Sequence, residues 1–388
     1  MGRAVLLGAW TLALASSAYA DGPITNRDYA IDIYEGVAIG NTAWVGMGGA
    51  GAALITGTAG TLINPSAPAV RETTDTSRWD WDYHFDVLSA RASEDYDNNG
   101  IQVGDGGAEL FTAGLGMRIG NWASAITYSR QIAPIVNGTP TPDDDLDAKA
   151  ERFRYVLARY IAGSDLAVGV GFQNVTFRVV PEGGDTLFSI NGTGLVAGAT
   201  WVPKMQNFRI AAAVESKILG ADVASRCDPE NCMGYILPQN VVSSARVIGG
   251  FAYRFAKTPW NQLVPTRWRD EYALTTTADV LITGSAPNAY GIEAFGLQQL
   301  QRSGRHTAVS LRAGAEGEVI PGRLRLRAGG YWEPERFDDQ GGRMHVTFGL
   351  EVRVIQLWLV GSRRLRLSFT GDVASQYRNV VASIGFWH

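Results

Sequence analysis

Few side chains in this chain are suited to making and breaking bonds, and their spacing restricts what they could do. His84 stands between Asp82 and Asp86, so a base and two carboxylates share one face of an extended segment. A hydrolytic site needs such a base beside a nucleophile or an activated water. This is the only grouping of that kind, because the other histidines, 306, 345 and 388, are scattered. Any acidic strand face produces the same pattern, so the chain is not expected to be an enzyme. Cys227 and Cys232 are too few for a thiolate zinc site. The residues between them include Asp228-Pro229 and Asn231, a turn that brings two Cα atoms within bridging distance, and an oxidising exterior would hold a disulfide there. Val45-Gly-Met-Gly-Gly-Ala-Gly51 has the glycine density of a pyrophosphate-binding loop, but no buried parallel strand precedes it and no βαβ unit encloses it. The acidic stretches 94–99 and 143–145 lack the ligand spacing of a calcium loop and are expected to be solvated loop tips. Neither a cofactor nor a metal is expected. Lys and Arg number 34 against 38 Asp and Glu, which leaves no basic excess to neutralise a phosphate backbone and argues against a nucleic-acid partner.

The elements that carry these residues are set by alternation. Met344, Val346, Phe348, Leu350, Val352 and Val354 alternate with Arg343, His345, Thr347, Glu351 and Arg353. Trp79, Trp81, Tyr83, Phe85 and Val87 alternate likewise with Asp80, Asp82, His84 and Asp86. A period of two over about ten residues predicts strands with one apolar and one polar face, the length of a tilted membrane-crossing strand. Tryptophans and tyrosines gather at strand ends, as an interfacial girdle requires. After residue 20 no apolar run approaches the ~18 residues of a transmembrane helix. The predicted fold class is therefore all-β, a transmembrane antiparallel barrel. Fifteen candidate strands lie between residues 79 and 387, and bacterial barrels carry an even number; placing 289–300 in a loop leaves about fourteen. The outer connections are then 92–107, 132–150, 181–185, 218–242, 284–306, 333–342 and 375–376, with the cysteine pair in one of them. The inner turns include Gly120-Asn121, Gly163-Ser164 and Ile320-Pro321.

The amino terminus places the chain outside the cytoplasm. Arg3, an apolar run from Ala4 to Ala15 and small residues at Ala18 and Ala20 predict a signal peptide over residues 1–20. Residues 21–78 lack alternation and are rich in glycine, which suits a plug packed against the inside of a barrel wall formed by 79–388. Arg312, Arg323, Arg325, Arg327, Arg343, Arg353, Arg364 and Arg366 fall on the polar, lumen-facing side of late strands. Two roles are open for them: internal salt bridges, or a path for a carboxylate head group, which arginine binds in bidentate fashion.

Asn41-Thr-Ala-Trp-Val-Gly-Met-Gly-Gly-Ala-Gly-Ala-Ala-Leu54, followed by Leu62-Ile-Asn-Pro-Ser-Ala67, resembles the amino-terminal hatch of the FadL family of outer-membrane hydrophobe transporters. Arg323–Gly330, Glu333–Arg336, His345–Gly349 and Ser383–Phe386 look like that family's last four strands. The resemblance implies a fourteen-stranded barrel in the bacterial outer membrane, plugged from the periplasmic side. It also implies passive uptake of fatty acids or other hydrophobic molecules through a rearranged hatch and a side opening in the wall. Asn64 and Pro65 match the family's hatch element, with Ser66 where alanine is more common. Gly46, Gly48, Gly49, Asn64, Pro65, Arg325, Arg327 and Arg353 are the expected substrate-path residues. Partners on this reading are a hydrophobic small molecule or lipid, the outer-membrane lipids and the barrel-assembly machinery. The alternative is a secretion-associated scaffold barrel without transport, since such barrels share the hatch signature. The outer segment 181–185 is very short where fatty-acid importers carry a long capture loop.

Overall fold

The computed structural model describes residues 22–71, 77–90, 95–101, 108–135, 146–181, 184–221, 223–264, 269–286, 288–337, 340–358 and 362–386. The expected signal peptide lies outside these residues, and among them no helix is long and apolar enough to cross a membrane.

Fourteen long strands form the wall: β1 Trp79–Ala90, β2 Ala108–Ile119, β3 Trp122–Ile135, β4 Leu146–Ile161, β5 Leu166–Pro181, β6 Phe188–Trp201, β7 Phe208–Glu215, β8 Arg246–Ala256, β9 Ala273–Thr283, β10 Ala308–Ile320, β11 Leu324–Glu333, β12 Arg343–Trp358, β13 Ser362–Ala374 and β14 Tyr377–Phe386. Each pairs antiparallel with its neighbours in sequence. β1 pairs with β14 through His84–Gly385 to Ser89–Val380, so the sheet closes with no free edge. The segment 289–300 is not a wall strand. It holds a two-residue strand, Ala289–Tyr290, and a short helix, Ile292–Leu297.

The alternation sorts side chains as lipid demands. Leu115, Val170 and Leu195, on the outer face, are 60–70% exposed, whereas Arg327, His345 and Glu351 on the inner face are at most 5% exposed. Trp79, Trp122 and Trp201 stand exposed at the short-turn end, with the Arg159 guanidinium over the Trp122 ring at 4.9 Å. On β4 and β5 the pattern inverts beyond Phe153 and Phe172. Inward positions become Leu146, Ala148, Ala150, Phe177 and Val179, all buried, while Asp147, Glu151, Thr176 and Arg178 face out. An outer face of charged residues cannot lie in hydrocarbon, so this hairpin rises past the bilayer into water.

Residues 22–71 fill the lumen. The sequence reading puts this plug on the periplasmic side; the structure runs it along the barrel from the long connections to the short turns. Ala30–Asp32 pairs in parallel with Asn240–Val242 and with Ala289–Tyr290, both from long connections. α1 Thr42–Gly46 and α2 Gly57–Gly60 follow, and a 3₁₀ turn at Ala67–Ala69 ends the plug. The helix Ile292–Leu297 is α3.

Candidate functional site

The wall holds the plug by its backbone. Asp86 of β1 accepts from the Asn41 side chain at 3.1 Å and from the Thr42 N–H at 3.3 Å, while Asp82 accepts from the Thr58 N–H at 2.7 Å. The first turns of α1 and α2 thus direct otherwise orphaned N–H groups at carboxylates. Asp279 of β9 accepts from Gly51 at 2.7 Å and Ala52 at 2.9 Å. His84 lies against the plug rather than facing open space. It is buried and bonds Thr58 Oγ1 at 3.0 Å, so the one catalytic-looking grouping in the sequence belongs to the plug anchorage.

The glycines sit where backbone meets backbone. Gly48 has φ +65° and donates to Thr347 Oγ1 at 2.9 Å; a Cβ there would lie 2.5 Å from the nitrogen of Gly330 and 2.6 Å from the carbonyl of Ala313. From the wall side, a Cβ on Gly314 would lie 2.3 Å from the Met47 carbonyl oxygen. Gly46 accepts from Thr347 at 3.2 Å, and Gly49, φ +67°, packs on Arg312. Asn64 is buried and bonds Thr200 of β6 at 2.9 Å, and its side-chain oxygen accepts from Ser66 N and Oγ at 3.0 and 2.8 Å. The Pro65 carbonyl lies against Gly169 of β5. Asn64, Pro65 and Ser66 therefore dock the far end of the plug onto β5 and β6.

The lumen arginines called from the sequence divide. Arg325, Arg327 and Arg366 surround Glu351 at 3.4, 2.8 and 3.5 Å, and Arg327 also reaches Glu316 at 2.6 Å. They line a polar space of about 120 Å³ between wall and plug, with Ala43, Leu54 and Thr56 on its plug side. Arg353 stands apart at a bulge of β12 and does not reach that space.

Above the plug lies a different chamber, apolar and about 70 Å³ in volume. Ile31, Ile33 and Tyr34 of the plug form one side, and Ala148, Ala150 and Phe177 of the wall form the other. Tyr96 and Asp97 of the first long connection, with Ile292 and Glu293 of α3, complete it. Phe295 of α3 packs edge-on to Phe188 and stacks on Tyr235, with ring centroids 5.1 Å apart in each pair. Tyr235 is bridged by its backbone to Cys232, which is joined to Cys227 in a disulfide whose Cα atoms are 5.2 Å apart. The staple anticipated from spacing thus braces the roof of this chamber.

None of the residues named from the sequence as substrate path lines the chamber. Its acidic side also corrects the reading of 94–99 as a solvated loop tip: Asp95 and Asn99 are buried. Asp95 accepts from the N–H groups of Asn99 and Gly100 at 3.0 and 2.9 Å, and Arg343 donates to the carbonyls of Asp95 and Tyr96. Burial pushes the carboxyls of Asp95 and Asp97 up, and Glu293 rises to about 7 for the same reason, with Asp95 adding like-charge repulsion. A second set missed by sequence reasoning couples wall to plug. Tyr331 accepts from the Ala38 N–H at 3.0 Å and donates to Asp372 at 2.7 Å, and His345 bonds Asp372 and Glu333 at 2.9 Å each.

With this geometry in hand, known structures supply the comparison. The CymD monoaromatic hydrocarbon channel superposes with a TM-score of 0.56 at 13% identity, covering 90% of this chain and 97% of that one. The toluene transporter TbuX of Ralstonia pickettii gives 0.51 at 13% identity, over 90% and 98%. A FadL homologue of Pseudomonas aeruginosa gives 0.52 at 14% identity, over 89% and 96%. No family model and no curated protein matches the sequence. At such identities the likeness establishes the fold: a FadL-type, plug-bearing fourteen-stranded barrel.

Proposed function

We propose that the protein is a bacterial outer-membrane channel through which hydrophobic small molecules diffuse passively, with the plug as its gate. The observation that carries this reading is the apolar chamber between plug and wall. A scaffold barrel has no need for an apolar recess at that position, whereas an uptake channel needs one to draw an apolar solute out of water. Fatty acids and monoaromatic compounds both fall in this class. In the same reading residues 1–20 are removed on export, and the chain reaches its membrane through the barrel-assembly machinery. Gly46, Gly48, Gly49, Asn64 and Pro65 position the gate, and Arg325 and Arg327 stiffen the lumen beside it.

The test is a reversible tether. Thr42 Oγ1 and Ser383 Oγ lie 2.8 Å apart across the plug–wall contact, so the pair Thr42→Cys and Ser383→Cys is placed to form a disulfide. Uptake of toluene by cells carrying this variant is expected to stop when the pair is oxidised and to return on reduction. Equal uptake in both states, or toluene uptake independent of the protein, overturns the channel reading in favour of the scaffold.

A further inference from the structure

The lining of the chamber is selective in one direction. Its walls are hydrocarbon, from Ile31, Ile33 and Phe177, and its ionisable rim is acidic, with the Gln131 amide and the hydroxyls of Tyr34 and Tyr96 as its other polar groups. Asp95, Asp97, Glu293 and Glu35 all contribute to the lining, and among the described residues no lysine, arginine or histidine does. The cations nearby are already engaged behind the carboxyls: Arg152 on Glu35, Arg336 on Asp32 at 2.9 Å and Arg343 on Glu333 at 2.5 Å. A single amide, that of Asn99, bridges two of the acceptors, reaching Glu293 at 2.6 Å and Asp97 at 3.2 Å. Asn99 is fully buried and held there by the Gln301 side chain, which donates to its carbonyl at 2.7 Å.

We propose that the chamber takes compact, uncharged aromatic compounds carrying a hydrogen-bond donor, such as phenols and anilines, and rejects carboxylates, long-chain fatty acids included. This rests on the channel reading above and narrows its substrate. An anion entering the chamber loses its hydration, meets no positive partner and faces a row of carboxyl groups. A hydroxyl or amino group finds an acceptor at once, while its ring covers Phe177 and Ile31. The upward shift of Asp97 and Glu293 points the same way, because a rim that resists its own negative charge resists another.

Toluene, p-cresol and p-toluate share one skeleton and differ only in the substituent that matters. Each is titrated at pH 7.5 into the full-length protein in detergent by isothermal calorimetry, with protein-free micelles as the blank. We expect p-cresol to bind at least tenfold more tightly than p-toluate, with toluene between them. In the variant carrying Asp97→Asn and Glu293→Gln, the ratio of p-cresol to p-toluate affinity should fall at least threefold. The ranking on the unaltered protein decides the matter even if that variant fails to fold. If p-toluate binds as tightly as p-cresol while toluene binds, the selectivity is wrong and the channel reading stands. If none of the three binds, both fall together.

Discussion

Gly48 gives the sharpest test of how the plug is held. Its φ of +65° lies in the left-handed region, and an added Cβ would meet the wall backbone at 2.5–2.6 Å. In Gly48→Ala the left-handed conformation costs about 1–2 kcal/mol, and overpacking against an unyielding backbone about 1–3 kcal/mol. The loss of glycine's unfolded-state entropy offsets about 0.5–1 kcal/mol. A net penalty of roughly 1–4.5 kcal/mol should fall on local opening of the plug, because the wall's ladders do not depend on this residue. That converts to amide exchange faster by about fivefold to two-thousandfold over residues 41–53. The assay is hydrogen exchange by mass spectrometry on the protein in detergent, with the β1–β14 ladder as internal reference. Gly249→Ala is the control, since its Cβ would meet nothing within 4 Å. Unchanged exchange in 41–53, or equal acceleration in the wall strands, refutes the reasoning.

Asp279→Ala removes the acceptor for Gly51 and Ala52 and strands two buried N–H groups, at about 1–3 kcal/mol for each unsatisfied group. Protease cleavage within 48–56 should rise while the barrel stays heat-modifiable on gels. Raising the pH should loosen the roof of the chamber. Glu293 holds its proton up to about 7 in the folded state against an ordinary 4.5, so stability present below 4.5 is lost as pH climbs through 7. Amide exchange corrected for its intrinsic pH dependence should therefore accelerate in 292–297 between pH 5 and pH 8, and Glu293→Gln should flatten that profile. Replacing Cys227 and Cys232 by serine opens a ring of only a few residues, so the loss is on the order of 2 kcal/mol. A melting curve of the barrel strands by circular dichroism should be unmoved, while exchange in 232–237 increases.

The wall was legible because lipid outside and charge inside impose a period of two, which its strands keep within the bilayer apart from bulges at Glu318–Ile320 and Arg353–Ile355. The parity of the barrel removed 289–300, which the structure makes a helix and a two-residue strand. The plug was legible through its glycines, whose close approach to Gly314, Gly329 and Gly330 leaves no room for side chains. The chamber was not legible. Its sides come from residues 31, 96, 148, 177 and 292, which no local pattern links. They also sit where the wall has left the bilayer, so that Leu146, Ala148 and Phe177 point inward and the rule of a polar inner face is reversed. Asp95 and Asp97 read as loop-tip acids because nothing local shows that α3 and the plug will cover them.

The plug also bears on the order in which the molecule can be made. It touches both sides of the closing seam: Asn41 and Thr58 bond Asp86 and Asp82 of the first wall strand, while Thr42 bonds Ser383 of the last. It begins among the long connections and ends among the short turns, so it passes through the cylinder rather than capping it. A finished cylinder with every ladder bond made offers no gap wide enough to admit some fifty residues from the side. A segment already inside when the first and last strands meet has both sides of the seam to bond, so its docking and the closure of the wall reinforce each other. The plug proposed to gate the channel in the mature protein is thus also the piece that ties the wall's first strand to its last.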